Sequence, residues 1–224
     1  MTKKAVLLLS GGLDSATTCV IAKDIGYQVY AISFDYGQRH KVELQKAIEL
    51  AKYLDVKDHK IINIDLRLFG GSALTDNINV PKNRDTESEE VPVTYVPARN
   101  TIFLSYALAY AETIGAYDIF IGANILDYSG YPDCRPEYLN AYEKMANLAL
   151  SATVSGDKKI NIKAPLIELS KAQIISKGLE LGLDYSKTLS CYDPDDSGKP
   201  CGQCDSCQLR NKGFKDNNMV DPAL

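Results

Sequence analysis

The sequence predicts an α/β fold with a doubly wound, mostly parallel sheet and a cysteine-rich C-terminal appendage. Short apolar runs alternate with segments of helical periodicity along most of the 224 residues, a pattern typical of a parallel sheet with helices on both faces. Four of the six cysteines lie between Cys191 and Cys207. We therefore expect an α/β domain over residues 1–188 and a second, smaller segment over residues 189–224.

The predicted strands and helices are bounded by clear local signals. Strands are expected at Ala5–Leu9, Gln28–Phe34, Lys60–Ile64, Asp118–Gly122 and Ile160–Lys163. Helices are expected at 14–25, 42–54, 100–115 and 136–150, and a last helix is opened by the capping box Ser170-x-x-Gln173. Glycines 26, 115 and 182 supply helix stops. In such a sheet, ligands bind beyond the carboxyl ends of the strands.

Composition argues against several classes of protein. The chain has 45% hydrophobic and 24% charged residues and a net charge of -4, so no bulk attraction to nucleic acid or to a membrane surface is expected. It has no run of about 20 apolar residues that could span a membrane. The short N-terminal apolar run is broken at Ser10, which fits a buried strand better than a signal peptide. The clustered cysteines predict a cytoplasmic protein with a local metal site rather than a secreted disulfide scaffold.

Two segments do not follow the strand–helix alternation. Residues 66–97 are long, polar and interrupted by prolines, and a lid over a binding site and a solvated loop are equally consistent with them. Residues 189–224 have little periodicity, so we expect them to need a metal in order to fold. Their basic stretch, Arg210–Lys215, is expected to be solvated.

The turn after the first strand has the features of a phosphate-binding loop. It reads Ser10-Gly11-Gly12-Leu13-Asp14-Ser15 and leads directly into the first helix. Paired glycines let the backbone approach an anion closely, and a helix N-terminus offers free N–H groups. Asp14 would repel a phosphate, so we expect it to cap the helix or to hold Mg²⁺. The pattern matches neither a dinucleotide-binding fingerprint nor a Walker loop.

This loop resembles the PP-loop of the ATP pyrophosphatase superfamily, which cleaves ATP between the α- and β-phosphates and adenylates a substrate oxygen. The resemblance implies a PP-loop fold like that of the adenine nucleotide alpha hydrolases. Lys171 lies in the first turn of the predicted last helix, where a cation is unfavourable unless an anion such as ATP phosphate is close. The predicted ATP-binding residues are Leu8, Leu9, Ser10, Gly11, Gly12, Leu13, Asp14, Ser15, Ala16, Thr17, Thr18 and Lys171.

The four clustered cysteines have the spacing of metal ligands. Cys191, Cys201, Cys204 and Cys207 supply four thiolates, which can close a tetrahedral structural zinc site. Three cysteines at this spacing plus a more distant one also serve [4Fe–4S] clusters. Free thiols or disulfides are a third reading. Zinc is the interpretation that we favour, with the iron–sulfur alternative open.

Four further motifs give the whole chain a family resemblance. They begin at Phe34, Val96, Ser129 and Thr188 and read Phe-Asp-Tyr-Gly-Gln-Arg-His, Val-Pro-Ala-Arg-Asn, Ser-Gly-Tyr-Pro-Asp-Cys-Arg and Thr-Leu-Ser-Cys-Tyr. With the loop and the cysteines, they resemble the 7-cyano-7-deazaguanine synthases of queuosine biosynthesis. That family is a C–N-forming ligase that converts 7-carboxy-7-deazaguanine, ammonia and ATP with Mg²⁺ to the nitrile, through an adenylated acid and an amide. Its members bind zinc through this cysteine set and are commonly homodimers.

Candidate substrate residues come from these motifs. Arg39 and Arg99 are expected to hold a carboxylate or phosphate, although a surface role for Arg39 is equally consistent. Asp133 is a candidate reader of a guanine-like edge, and Arg135 a candidate partner of the 7-carboxylate. The lone His40 is more consistent with a structural role, and Asn100 with a helix cap. Some relatives carry Cys-Glu-Thr-Asp where this chain has residues 124–127, so no role of that Cys or Glu is carried over.

Two other functions are also consistent with the sequence. One is a different PP-loop reaction such as tRNA thiolation, which needs a catalytic cysteine at the rim of the sheet; Cys134 is the one that is suitably placed. The other is a non-catalytic zinc-ribbon interaction module. Detection of ATP-to-AMP turnover would exclude this non-catalytic module.

Overall fold

The computed structural model describes residues 2–39, 42–84, 90–126 and 130–223. Five strands form a parallel sheet in the order β3-β2-β1-β4-β5. The strands are β1 (Lys3–Leu8), β2 (Tyr27–Asp35), β3 (Asp58–Asn63), β4 (Asp118–Phe120) and β5 (Asn161–Lys163). His40, for which a structural role is predicted, lies outside the described residues.

Helices cover both faces of this sheet. They are α1 (Leu13–Asp24), α2 (Val42–Tyr53), α3 (Arg99–Ile114), α4 (Pro136–Ala149), α5 (Ser151–Val154), α6 (Lys171–Glu180) and α7 (Asp205–Asp216). The short α5 and the strongly polar α7 were not predicted. Among the helices of the described ranges, none combines the length and the apolarity needed to cross a bilayer.

The alternation of side chains along β1 separates two cores. Val6 and Leu8 pack with residues of α3 and α4 on one face, whereas Ala5, Leu7 and Leu9 pack with α1, α2 and α6 on the other. Successive residues of a strand point to opposite faces, so a strand buried on both sides reads as a continuous apolar run. This confirms the doubly wound architecture expected from the sequence.

Several helix boundaries follow the predicted signals. Ser170 and Gln173 form the expected reciprocal capping box at the start of α6, and Gly115 ends α3 with a left-handed φ of 67°. The expectation that Asn100 caps α3 is wrong. The N-cap is Ala98, with φ 54°, and Asn100 lies inside the helix.

Two glycines bring the turn after β1 against neighbouring elements. A Cβ on Gly11, which has φ +87°, would lie 2.8 Å from the Ala47 nitrogen and 2.9 Å from the Glu43 oxygen in α2. A Cβ on Gly122, just after β4, would lie 3.1 Å from Asp14 and Ser15 backbone atoms at the start of α1. The turn therefore sits between β1 and β4, where the strand order reverses and where open α/β sheets bind ligands.

The C-terminal segment is more regular than expected. Within it, α7 packs against α6, with Gly213 against Lys171 and Ile175, and Phe214 is fully buried. The expectation that Arg210–Lys215 is solvated is wrong for Arg210, which is 4% exposed. Its guanidinium is neutralised by the buried Asp221, with Nε–Oδ2 and Nη2–Oδ1 distances of 2.7 and 2.9 Å.

The described part of the long segment 66–97 is only partly solvated. Leu66, Leu74 and Val80 are buried in the same core as α3 and α4. The segment also reaches the cysteine-rich region, where the Asn83 N–H donates to the Gln203 carbonyl at 2.8 Å. It therefore ties the C-terminal segment to the sheet.

Candidate active site and metal centre

A cavity of about 220 Å³ opens at the carboxyl ends of β1, β2 and β4. The loop after β1 forms one wall, the start of α2 and the turn after β2 a second, and the start of α3 a third. The predicted residues that line it are Leu8, Leu9, Ser10, Gly12, Leu13, Asp14, Ser15, Lys171, Arg39 and Arg99. The predicted phosphate loop and two of the predicted substrate arginines therefore face one space.

The loop after β1 is held by its own serines and by the chain after α6. The Ser10 and Ser15 hydroxyls lie 3.1 Å apart, and the Ser15 hydroxyl also donates to the Gly12 carbonyl. The Leu13 N–H, in the first turn of α1, donates to Ser190 Oγ at 3.1 Å. First-turn N–H groups have no partner within their helix, so this end of α1 is a natural anion site.

Lys171 and Asp14 meet at the edge of the cavity. The Lys171 ammonium lies 2.7 Å from Asp14 Oδ1, and the two side chains are 7% and 22% exposed. The expectation that Asp14 caps α1 is wrong, since the cap is Gly12 and no side chain bonds there. The pair joins the first turns of α1 and α6.

The remaining residues of the predicted ATP set are packed inside α1 or against α2. Ala16, Thr17 and Thr18 are fully buried. The two threonine hydroxyls donate to carbonyls one turn back, those of Leu13 and Asp14. Gly11 contacts α2, as described above. These residues support the loop, and their contact with a nucleotide remains a prediction.

The two arginines in the cavity have different surroundings. Arg39 donates from Nη1 to the Ile78 carbonyl at 2.8 Å. Arg99, partly buried at the start of α3, is hydrogen-bonded to the Tyr36 hydroxyl and lies in the field of Asp133. A planar guanidinium presented to a cavity matches a carboxylate in two parallel hydrogen bonds. Their role in substrate binding remains a prediction.

Asp133 and Arg135 are not among the residues that line the cavity. Asp133 is buried, its Oδ2 accepts from the Asn100 N–H at 3.0 Å, and its carbonyl accepts from Asn100 Nδ2 at 3.0 Å. It thus satisfies an N–H group of the first turn of α3. Arg135 is exposed and donates to the Pro132 carbonyl at 3.1 Å. Their substrate contacts remain predictions.

The cavity also contains residues that the sequence did not single out. Tyr36 and Glu43 line it beside Arg99, and the parallel rings of Phe34 and Phe103 lie 3.9 Å apart in its wall. Burial raises the pKa of Glu43 to about 7, and the Arg99 guanidinium only partly opposes this. Burial also raises the pKa of the Tyr36 hydroxyl, with Glu43 adding to the effect. Glu43 follows Val42 in an ordinary amphipathic pattern, which gives no sign of this environment.

The two cysteines outside the cluster are poor nucleophiles. Cys134 lines the cavity but is buried, and its pKa is raised to about 12, mainly by burial and then by the nearby Asp133. Cys19 is buried in α1, and burial raises its pKa to about 12. The thiolate is the reactive form of cysteine, and neither side chain favours it near neutral pH.

The clustered cysteines converge on one point. Their four sulfur atoms all lie within 4.8 Å of one another: Cys191, Cys201, Cys204 and Cys207. This spacing fits a single tetrahedral ion, whose ligands share one centre. A [4Fe–4S] cluster binds each thiolate to a different iron atom, which keeps the sulfurs farther apart. The group can therefore hold one metal ion.

Backbone N–H groups surround these sulfurs in the way that thiolate ligands require. Cys191 Sγ accepts from the N–H groups of Asp193 and Cys201, at 3.3 and 3.2 Å. Cys201 Sγ accepts from those of Gln203 and Cys204, at 3.4 and 3.3 Å. Such outer partners orient metal ligands and stabilise their negative charge. Lys82 adds a cation here, with its ammonium 2.6 Å from Asp193 and hydrogen-bonded to Cys201.

Comparison with known proteins gives the chain a family. Residues 4–218 match the family model for queuosine biosynthesis protein QueC. A curated protein of Syntrophus aciditrophicus (strain SB), named 7-cyano-7-deazaguanine synthase, is 62% identical over 224 residues, which cover 99% of this chain and 97% of that protein. A protein of the same name from Desulfatibacillum aliphaticivorans is 62% identical over 223 residues, covering 99% of this chain and 96% of its own.

Solved structures support the fold. NMN synthetase from Francisella tularensis aligns with a TM-score of 0.53 at 20% identity, over 97% of this chain and 78% of that one. A predicted subunit of tRNA methyltransferase from Methanocaldococcus jannaschii aligns with a TM-score of 0.51 at 17% identity, over 98% and 90%. Likeness at this level concerns the fold alone, which is of the PP-loop type. Together with the match along nearly the whole sequence, these findings show that the chain belongs to the QueC family of queuosine biosynthesis proteins.

Proposed function

We propose that this protein is an ATP-dependent ligase that converts 7-carboxy-7-deazaguanine and ammonia to 7-cyano-7-deazaguanine. The carboxylate is first adenylated, and ammonia then gives the amide. A second ATP activates the amide oxygen, whose departure leaves the nitrile. Neither a carboxylate oxygen nor an amide oxygen leaves readily without activation, which is why both steps consume ATP.

One observation carries the proposal: a single cavity connects the loop after β1 with the guanidinium of Arg99. The loop supplies the anion-binding end of α1 for the phosphates, and Arg99 supplies the partner for the substrate carboxylate. Adenylation requires the carboxylate oxygen to reach the α-phosphate. A shared cavity allows this, since it holds both reactants close together.

The nucleotide would be bound by the predicted ATP-binding set that begins at Leu8 and includes Lys171. In this proposal the Lys171 ammonium turns from Asp14 toward the phosphates, and Mg²⁺ accompanies the nucleotide with Asp14 close by. Ser10 and Ser15 would donate hydroxyl hydrogen bonds to phosphate oxygens. The two hydroxyl oxygens lie 3.1 Å apart, so one phosphate group could contact both.

The base would bind in the aromatic part of the cavity. Phe34, Phe103 and Tyr36 offer flat apolar surfaces for a deazaguanine ring, while Arg99 pairs with its carboxylate. Arg39 would add charge at the rim. Asp133 would act through Asn100 at the start of α3, and Arg135 would need to turn inward to reach substrate.

We propose zinc as the ion held by the four cysteines, in a structural role. Four thiolates leave no open position on a tetrahedral ion, so the metal would stabilise the segment after α6 rather than bind substrate. Its position matters because Cys191 and the preceding Ser190 line the cavity. We also propose that the protein is a homodimer, which sedimentation velocity tests directly.

The decisive experiment is incubation of the purified protein with 7-carboxy-7-deazaguanine, ammonium chloride, ATP and MgCl₂, with product analysis by mass spectrometry. The nitrile is expected together with two AMP and two pyrophosphate per molecule formed. An amide without nitrile would limit the enzyme to the first half of the reaction. No acid-dependent AMP formation would contradict the proposal and would favour a non-catalytic interaction module.

The thiolation alternative requires a cysteine that carries sulfur as a persulfide. Cys134 is the candidate in the cavity, and its raised pKa and burial disfavour a reactive thiolate. A Cys134→Ala variant is therefore expected to retain nitrile formation. A complete loss of activity in a folded variant would reopen the alternative.

A further inference from the structure

Glu43 occupies an unusual position for a carboxylate of an amphipathic helix. It lies in the first turn of α2 and lines the cavity that holds the phosphate loop. Its backbone touches that loop, since a Cβ on Gly11 would lie 2.9 Å from the Glu43 carbonyl oxygen. The backbone of α2 is thus fixed against the loop at this residue.

Glu43 lines the same cavity as Arg99 and Tyr36, which the proposed function assigns to the substrate. Arg99 interacts with it electrostatically, and so does Tyr36, which is itself hydrogen-bonded to Arg99. If Arg99 holds the substrate carboxylate, the carbon under attack lies beside the same guanidinium. A nucleophile that reaches this carbon would then lie within the surroundings of Glu43.

The other described side chains of the cavity are poorly suited to accept a proton. Asp14 is paired with Lys171 at 2.7 Å, and in the proposed function it lies close to Mg²⁺ once Lys171 turns to the phosphates. Arg39 and Arg99 are cations, and burial raises the pKa of Cys134 to about 12 and that of Tyr36 above its usual value. Glu43 is the other carboxylate among the described lining residues, and no lysine is paired with it there.

We propose that Glu43 is the proton acceptor for the ammonia-dependent steps of the reaction. In the first step the ammonia nitrogen forms a bond to the acyl carbon, the bond from that carbon to the AMP oxygen breaks, and AMP leaves with its electron pair. The nitrogen passes one proton to the Glu43 carboxylate. This inference rests on the proposed function, which by itself names no base.

The second step also releases protons from nitrogen. The amide oxygen attacks the α-phosphate of a second ATP and displaces pyrophosphate. The carbon–oxygen bond then breaks as AMP leaves, and the nitrogen gives up its two remaining protons as the nitrile forms. Glu43 accepts these protons in turn and returns each to solvent through the open mouth of the cavity. Burial raises the pKa of the Glu43 carboxyl to about 7, which is close to working pH. A group with such a pKa can accept a proton in one step and lose it before the next.

The experiment separates adenylation from the ammonia-dependent steps in Glu43→Gln. Exchange of radiolabelled pyrophosphate into ATP, measured with 7-carboxy-7-deazaguanine and without ammonia, reports adenylation alone. Amide and nitrile formation with ammonia report the later steps. We expect exchange within about threefold of wild type, and amide formation reduced by about 10²- to 10⁴-fold. Hydroxylamine, a much less basic nucleophile, should be affected less than ammonia.

Glu49→Gln is the matched control, because Glu49 lies exposed on the same helix and pairs with Lys46. It should leave both assays unchanged. Equal loss of exchange and of amide formation in Glu43→Gln would assign Glu43 a structural role and overturn the inference, as would unchanged amide formation. A wild-type protein without acid-dependent exchange would instead refute the proposed function itself.

Glu43→Asp keeps the test decisive if Glu43→Gln does not fold. This variant keeps the carboxylate but withdraws it by one methylene. The wild-type rate of amide formation, normalised to exchange, should rise with pH through about 7, since the deprotonated carboxylate is the acceptor. In Glu43→Asp the midpoint of this pH dependence should move and the rate of amide formation should fall. The pH dependence of pyrophosphate exchange should stay the same. An unmoved midpoint would contradict the inference.

Discussion

The ammonium of Lys171 lies 2.7 Å from Oδ1 of Asp14, so a cation that opens α6 neutralises a carboxylate in the first turn of α1. The two residues are 157 positions apart in the chain, yet both flank the loop after β1. A lysine at a helix N-terminus is disfavoured by the helix dipole. Its placement here is explained by the carboxylate in this structure and, in the proposed function, by the phosphates of ATP.

Lys171→Met should weaken nucleotide binding. The variant keeps the apolar stem that packs on Gly213 but removes the charge. We expect the Kd for ATP to rise about 10- to 100-fold, which corresponds to the loss of one charge-assisted hydrogen bond of about 1.5–3 kcal/mol. Isothermal titration calorimetry measures this. Lys177→Met is the control, because Lys177 is a partly exposed lysine on the same helix. An unchanged Kd would restrict Lys171 to a structural pairing with Asp14.

The two glycines of the loop should respond differently to substitution. Gly12 has an ordinary extended backbone, and the nearest atom to an added Cβ, Ser10 Oγ, lies 3.3 Å away. Gly12→Val should therefore fold but lose ATP binding, because its side chain fills the place where phosphate approaches the backbone. Gly11→Ala should instead lower the Tm, because it has φ +87° and would press on α2. Calorimetry and thermal unfolding distinguish the two. A Gly12→Val protein with wild-type affinity would exclude the loop as the phosphate site.

The elements predicted correctly are those with local signals. The apolar run of β1 and the capping box of α6 depend on residues next to one another in sequence, and the metal-ligand spacing is equally local. Glu43 could not be recognised in this way. Its helix looks amphipathic and ordinary, and its environment is created by Arg99 and Tyr36 from other elements.

The C-terminal helix was missed for a related reason. Its sequence from Asp205 to Asp216 is strongly polar, so no apolar stripe marks it. The charge on Arg210 predicts solvent exposure, whereas the fold places its guanidinium between Asp221 and Thr188. Pairing of this kind depends on tertiary contacts that periodicity does not report.

Breaking the Arg210–Asp221 pair should be strongly destabilising. The guanidinium also donates to Thr188 Oγ1 at 2.7 Å and to the Tyr185 carbonyl at 3.0 Å, so it anchors the chain that leads to Ser190. Arg210→Met leaves Asp221 buried without its cation and should cost about 3–5 kcal/mol. Urea denaturation measures the change, with Lys212→Met, on a more exposed part of α7, as control. A cost below about 1 kcal/mol would mean that solvent reaches Asp221.

The carboxyl of Glu43 should make stability depend on pH. Its folded-state pKa of about 7 lies above the ordinary 4.5, so the folded protein holds this proton more tightly than the unfolded chain. That contribution to stability is complete below about 4.5 and is lost as pH rises to about 7. Glu43→Gln lacks this loss and should be more stable than wild type at pH 8 by up to about 3 kcal/mol, at about 1.4 kcal/mol per pKa unit. The two should converge at pH 5. Thermal unfolding at both pH values tests this, and a variant that is less stable at pH 8 would contradict it.

Removal of one cysteine from the cluster should reduce stability without removing a catalytic step. Four sulfurs within 4.8 Å complete a tetrahedral zinc shell, so Cys204→Ser or Cys207→Ser should lower metal affinity and loosen the segment that contains α7. We expect about one zinc per wild-type chain by elemental analysis, and a marked drop in Tm on treatment with a strong chelator. Cys19→Ala and Cys134→Ala are matched controls that should keep full metal content, since neither belongs to the cluster. The fraction of each variant that folds should still exchange pyrophosphate into ATP, because a zinc ion with four thiolate ligands has no open position for substrate. Iron in place of zinc with broad visible absorbance, or an intact variant that retains its Tm but loses exchange, would overturn the structural role.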